Sequence, residues 1–184
     1  MHYVRNILFL FFCLLILSGC TSEPVASEKP PAEKSDYKSL YIVQHPSEEA
    51  ILIDGTFFII DSDTEFSQSS GLPVERHELK PGDLVSLTAH RETVDDIPGK
   101  GILLSLVRHD DERSQHISKA IAHVLENQEI GDIIAPKIRA VSRHSVTLQF
   151  YDWEKTHKYE CIVNMGSLAF QVKELSYSPP AENP

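Results

Sequence analysis

Five short apolar runs, each separated from the next by turn chemistry, leave this chain few folds to choose from. They are Leu40-Tyr41-Ile42-Val43, Ala50-Ile51-Leu52-Ile53, Thr56-Phe57-Phe58-Ile59-Ile60, Leu84-Val85-Ser86-Leu87-Thr88 and Ile102-Leu103-Leu104-Ser105-Leu106-Val107. Asp54-Gly55 joins the second and third, and Asp-Gly between apolar runs is the strongest short-range hairpin signal. Lys80-Pro81-Gly82-Asp83 turns the chain into the fourth run, and Pro98-Gly99-Lys100-Gly101 into the fifth. Runs this apolar bury both faces or belong to a closed sheet, because a half-exposed strand alternates more cleanly. Residues 38–110 are therefore expected to form a small closed barrel of five strands, with a long, loose connection from Ser62 to Glu78.

The pattern changes after residue 110. Ile117, Ala120, Ile121, Val124 and Leu125 fall at i, i+3, i+4, i+7 and i+8, the single stripe of an amphipathic helix over 112–128. Asp110, Asp111 and Glu112 stand at its start, where negative charge complements the helix dipole, and Gly131 follows as a stop. One stripe implies one packing partner, the sheet that follows. Val146, Leu148 and Phe150 alternate with Thr147, Gln149 and Tyr151; Leu168, Phe170 and Val172 alternate with Ala169, Gln171 and Lys173. With Lys158–Val163 between them and Ile138–Val141 before them, these make a half-buried antiparallel meander. Residues 111–175 are thus expected to be one helix packed on a meander, and the fold class mostly β (α+β).

The N-terminus reads differently. Arg5 precedes an apolar run from Ile7 to Leu17, the layout of a secretory signal. The run is shorter than the roughly 20 apolar residues that span a bilayer. It ends in Leu17-Ser18-Gly19-Cys20, which resembles a bacterial lipobox. That resemblance implies a lipoprotein signal peptide over 1–19, cleavage between Gly19 and Cys20, and a diacylglyceryl group with palmitate on Cys20. It places the chain in a bacterial cell envelope, lipid-anchored and facing the extracytoplasmic side, with the membrane as its first partner. From the lipidated Cys20 to residue 37 the composition is Pro, Ser, Glu and Lys with almost nothing to bury, an expected disordered tether reaching roughly 50 Å. Residues 176–184 read as a disordered tail.

Thr64 and the run Glu78-Leu79-Lys80-Pro81-Gly82-Asp83-Leu84-Val85 are similar to a pattern in uncharacterised Gram-positive lipoproteins that carry an OB-like barrel. The helix followed by a meander also resembles a layout of such lipoproteins. The resemblance implies that 38–110 is OB-like, with an SH3-like barrel the other closed form compatible with five strands. OB-folds often bind oligonucleotides or oligosaccharides, and the Ser62–Glu78 loop is the natural place for a ligand.

Charge narrows the partners. The net charge is −10, and the first 19 residues hold Arg5 and no acid, so their removal makes it −11. Such a surface repels polyanions, so no nucleic acid is expected as partner. Lys137, Arg139 and Arg143 read as a solvated strand face. Of the three cysteines, Cys13 leaves with the signal and Cys20 carries lipid. Cys161 remains without a disulfide partner and shares a strand face with Tyr159 and Val163, which makes it a buried structural thiol.

Candidate chemistry is sparse. His116 and His123 lie seven apart on the helix, about 10.5 Å along its axis, too far to share one zinc. His109-Asp110-Asp111 presents a nitrogen and two carboxylates from one loop, so His109, Asp110 and His116 are the metal candidates, without a full ligand set. Asp61-Ser62-Asp63-Thr64-Glu65 begins like a calcium loop, but Phe66 stands where Gly is required and Leu72 where Glu is required; it reads as a capped strand end. Asp95-Asp96, beside Pro98-Gly99, reads as turn. No Gly-x-Ser-x-Gly, His-Glu-x-x-His or Walker loop is present. Trp153 and Tyr151, at a hairpin end, either cover a core edge or stack on a sugar ring. No cofactor is expected. These readings describe a non-catalytic binding module displayed outside the membrane for an envelope protein or a glycan. The alternatives are an envelope hydrolase, in which His77, His109 or His144 meets acids in a cleft, and a His-based metal-binding lipoprotein.

Overall fold

The five apolar runs become strands that close on themselves. A computed structural model describes residues 36–91, 98–127, 131–154 and 156–176. The signal, the lipidation site, residues 20–35 of the tether, Asp95-Asp96 and the tail from 177 onward lie outside these residues. β1 (Tyr41–Pro46), β2 (Ala50–Ile53) and β3 (Thr56–Ile59) form an antiparallel meander. β4 (Glu65–Gln68) follows, then β5 (Leu84–Arg91) and β6 (Gly99–Arg108). β5 pairs antiparallel with both β1 and β6, and β3 pairs parallel with β6, Ile59 opposite Ile102. The circuit β3-β2-β1-β5-β6 is therefore a closed five-stranded barrel, compatible with an OB-like one.

Asp54 and Gly55 both take positive φ, 48° and 70°, as a two-residue hairpin turn between twisted strands requires. Val43, Ile51, Ile53, Phe58, Val85, Leu103 and Leu106 fill the barrel. A Cβ on Gly101 would meet His90 O at 2.7 Å and Phe58 Cε1 at 2.9 Å, so the bare backbone there makes room for the Phe58 ring.

β4 was not expected within the long connection. It pairs parallel with the far half of β6, from Glu65 opposite Ser105 to Gln68 opposite Arg108, where β3 has already ended. Its one apolar residue, Phe66, gives no periodic signal; the unpaired edge of β6 is what makes it a strand. The Asp61 carboxylate accepts from Asp63 N at 2.9 Å and Thr64 Oγ1 at 3.1 Å, a cap on the entry to β4.

α1 (Glu112–Leu125) starts on Asp111, whose Oδ1 accepts from Ser114 N at 3.0 Å. Burial raises the Asp111 carboxyl, but the bonds from the Ser114 hydroxyl and amide outweigh it and the group ends below its ordinary range. Ile117, Ala120, Ile121 and Val124 are fully buried. Beyond α1 lies a four-stranded antiparallel sheet of order β10-β9-β8-β7. Its strands are β7 (Ile133–Val141), β8 (Ser145–Asp152), β9 (Lys158–Asn164) and β10 (Phe170–Leu175). Val146, Leu148, Phe150, Cys161 and Val163 meet the helix.

Three expectations need correction. The helix has two packing partners rather than one: its core also contains Ile42 and Leu84 from the outer wall of the barrel, and the Gly82 turn abuts its backbone at Ser118 and Ala122. Leu168 is not in a strand; it sits at φ 60° and β10 begins at Phe170. Val172 is 39% exposed, because α1 does not extend over the edge strand and covers only Phe170, through His123. Among the described residues no helix is long and apolar enough to cross a membrane.

Candidate functional site

Among the open clefts of the described surface, three have linings that differ in chemistry. The first, about 470 Å³, lies where the Lys80–Asp83 turn and the end of β6 meet α1. It brings His109 and Asp110 together with Glu78, Asp83 and Arg108; His116, exposed on α1, is not part of its lining. Its polar groups largely serve the fold. The Asp110 carboxylate accepts from Ser69 Oγ at 2.6 Å and from Ser70 N at 3.1 Å, and those bonds hold it below its ordinary range. Asp110 thereby ties the turn after β4 to the end of β6. Burial pushes the Asp83 carboxyl up against the opposing pull of the Lys80 N–H and the Arg108 and Lys80 charges. Among the described residues the buried His109 Nε2 has no hydrogen-bond partner. Among the described residues no group of three or more His, Cys, Asp or Glu is placed to hold a metal.

The second cleft, about 520 Å³, opens at the barrel rim and gathers His77 with Glu48, Asp61 and Glu75. His77 and His109 thus both share clefts with acids, yet among the described residues only His157 approaches a carboxylate within 4 Å. The Asp152 carboxylate accepts from Thr156 Oγ1 at 2.7 Å and from His157 Nδ1 at 2.9 Å. Thr156 Oγ1 also lies 2.8 Å from the same Nδ1. A nucleophile relay needs the hydroxyl and the carboxylate on opposite ring nitrogens, whereas here Nε2 faces Glu174 at 3.9 Å. This cluster clamps the β8–β9 hairpin; it is not a catalytic triad.

The third groove, about 430 Å³, runs between the outer face of the barrel and the end of the β8–β9 hairpin. Its apolar wall is Leu52 and Phe57 from the β2–β3 hairpin, with Leu125 and Ile133. Trp153, the only tryptophan of the chain, lines the groove and is 44% exposed. His45 and Asp132 supply polar groups to the lining. Gln44, nearly buried, holds the junction: its Nε2 donates to Ile133 O at 3.0 Å and its Oε1 accepts from Gly55 N at 3.2 Å. The Lys137–Asp54 ion pair, 3.6 Å, also spans barrel and sheet. Across β3 and β6 the apolar face continues through Ile59, 49% exposed, and Leu104, 38% exposed, beside Ile102, which opposes Ile59.

Of the two aromatic candidates, then, Trp153 lines a groove. Tyr151 does not join it: Tyr151 lies opposite Lys158 on the sheet, with the ammonium 5.6 Å from its ring centroid. Cys161 is fully buried, and burial pushes its thiol up to about 11, which suits a structural residue. The groove residues Leu52, Phe57, His45 and Ile133 escaped the sequence reading. An apolar strand looks the same whether its second face meets a core or a groove. Comparison with protein-family models, with curated proteins and with solved structures found no match.

Proposed function

We propose that this chain is a non-catalytic binding lipoprotein of a bacterial cell envelope, anchored through lipid on Cys20 and presenting the Trp153 groove to a glycan. The observation that carries the reading is a half-exposed indole in the same groove as Leu52 and Phe57, with His45 and Asp132 among the lining residues. Sugar rings offer C–H faces to aromatic surfaces and hydroxyls to such polar groups, the mixture expected of a small-molecule site.

Trp153 is its own reporter. Titrating the full-length protein with envelope glycan fragments and other oligosaccharides is expected to shift its fluorescence saturably for one glycan class. Phe57→Ala is expected to weaken that binding about ten-fold, equivalent to ~1.4 kcal/mol. The anchor is tested separately, since Cys20→Ser should release the protein from the membrane fraction. A fluorescence response to no glycan, or one untouched by Phe57→Ala, rules the groove reading out.

A further inference from the structure

The two edges of the four-stranded sheet are built differently. β7 carries Pro136, two register shifts and Ala135 at φ 50°, and residues 37–39 and β1 lie against it. Such features blunt an edge. β10 has neither Pro nor Gly and pairs with β9 without a break from Phe170 opposite Val163 to Leu175 opposite Lys158. No described strand lies on its other side, and Gln171 to Glu174 are exposed.

We infer that the β10 edge pairs with the β10 edge of a second copy of this chain. An open row of backbone N–H and C=O groups is complemented by another extended strand, and a two-fold axis through the sheet makes two β10 strands antiparallel. Opposed residues must share a face of the joined sheet, so the axis passes through a residue. Centring on Lys173 sets two ammonium groups directly opposite, which repels. Centring on Val172 sets Val172 against the partner's Val172, Gln171 against the partner's Lys173 and Phe170 against the partner's Glu174. The two Lys173 side chains then become diagonal neighbours, with backbones about 7–8 Å apart. Registers shifted further pair less of the strand. The half-exposed Val172 is buried at the axis, and the strand brings one cation and one anion, Lys173 and Glu174, so the contact itself is neutral despite a chain charge of −10.

Directly opposed residues of antiparallel strands have Cα atoms about 4.5–5.5 Å apart, inside the roughly 4.4–6.8 Å that a disulfide spans, whereas diagonal ones fall outside it. Full-length Val172→Cys, oxidised in lysates of expressing cells, is therefore expected to give a reducible band at twice the chain mass. Wild type controls for Cys13, Cys20 and Cys161. Ile162→Cys, at a position 47% exposed on the neighbouring strand, controls for random collision. Wild type and Ile162→Cys are both expected to stay at monomer mass. A Val172→Cys chain that does not link, or an Ile162→Cys chain that links as well as it does, overturns the inference.

Discussion

At the scale of single residues, two glycines with similar backbones carry different loads. Gly82 has φ 91°, and a Cβ there would stand 2.6 Å from Ala122 N and 2.7 Å from Ser118 O. Gly71 has φ 84° and nothing within 4 Å of that position. Gly71→Ala should therefore cost only the left-handed backbone penalty, about 1 kcal/mol. Gly82→Ala adds a clash with helix backbone that cannot rotate away, and is expected to cost about 2–4 kcal/mol. Denaturant midpoints of the two variants compare them directly; equal midpoints would refute the close approach of turn and helix. The Lys80–Asp83 turn was legible in the sequence as a turn. That its glycine is needed for the helix to approach the barrel was not, because Ser118 and Ala122, which it meets, lie 36 and 40 residues further along the chain.

At the scale of elements, the β8–β9 hairpin owes part of its stability to protonation. The Asp152 hydrogen bond, more than the nearby Glu174 charge, raises the His157 imidazole above its ordinary range. Burial pushes the Asp152 carboxyl up, but bonds from Thr156 and His157 outweigh it and leave it at about 2. A raised imidazole contributes stability that is complete below the unfolded value, about 6.5, and is lost as pH rises through the folded one. A depressed carboxylate contributes stability that is complete above about 3.9 and is lost as pH falls through its folded value. The clamp is thus strongest between about pH 4 and 6.5. In a histidine NMR titration Asp152→Asn should lower the His157 midpoint, and an unmoved midpoint would count against the clamp. The two strands of this hairpin were readable from alternation. The clamp was not, since Asp152, Thr156 and His157 are polar residues in a turn and nothing in their spacing tells bonded groups from solvated ones.

At the scale of the whole molecule, β1 is a shared wall. Ile42 belongs to the core with α1 and the sheet, Val43 to the barrel interior, and Gln44 bonds both the β2–β3 turn and β7. The barrel and the helix-sheet unit are therefore expected to unfold together. Ile42→Ala should cost about 2–5 kcal/mol and lower amide-exchange protection in β2 and β3 as much as in β8 and β9. Loss confined to β8 and β9 would show two independent units.

The chain's own pattern determined much of this architecture. Apolar runs broken by Asp-Gly and Pro-Gly turns specify strands, and the 3.6-residue stripe from Ile117 to Leu125 specifies a helix, because both signals are local consequences of backbone geometry. The mostly β class and the closed barrel followed from them. The sequence could not specify which strand face meets which element. β4 exists because β6 outruns β3, α1 is packed from two sides because the wall of the barrel lies against it, and Val172 is left open because the helix stops short of the edge. Nor could it bring Leu52 and Phe57 to Trp153, a hundred residues away. Those outcomes depend on contacts between distant segments, which only the packed chain decides.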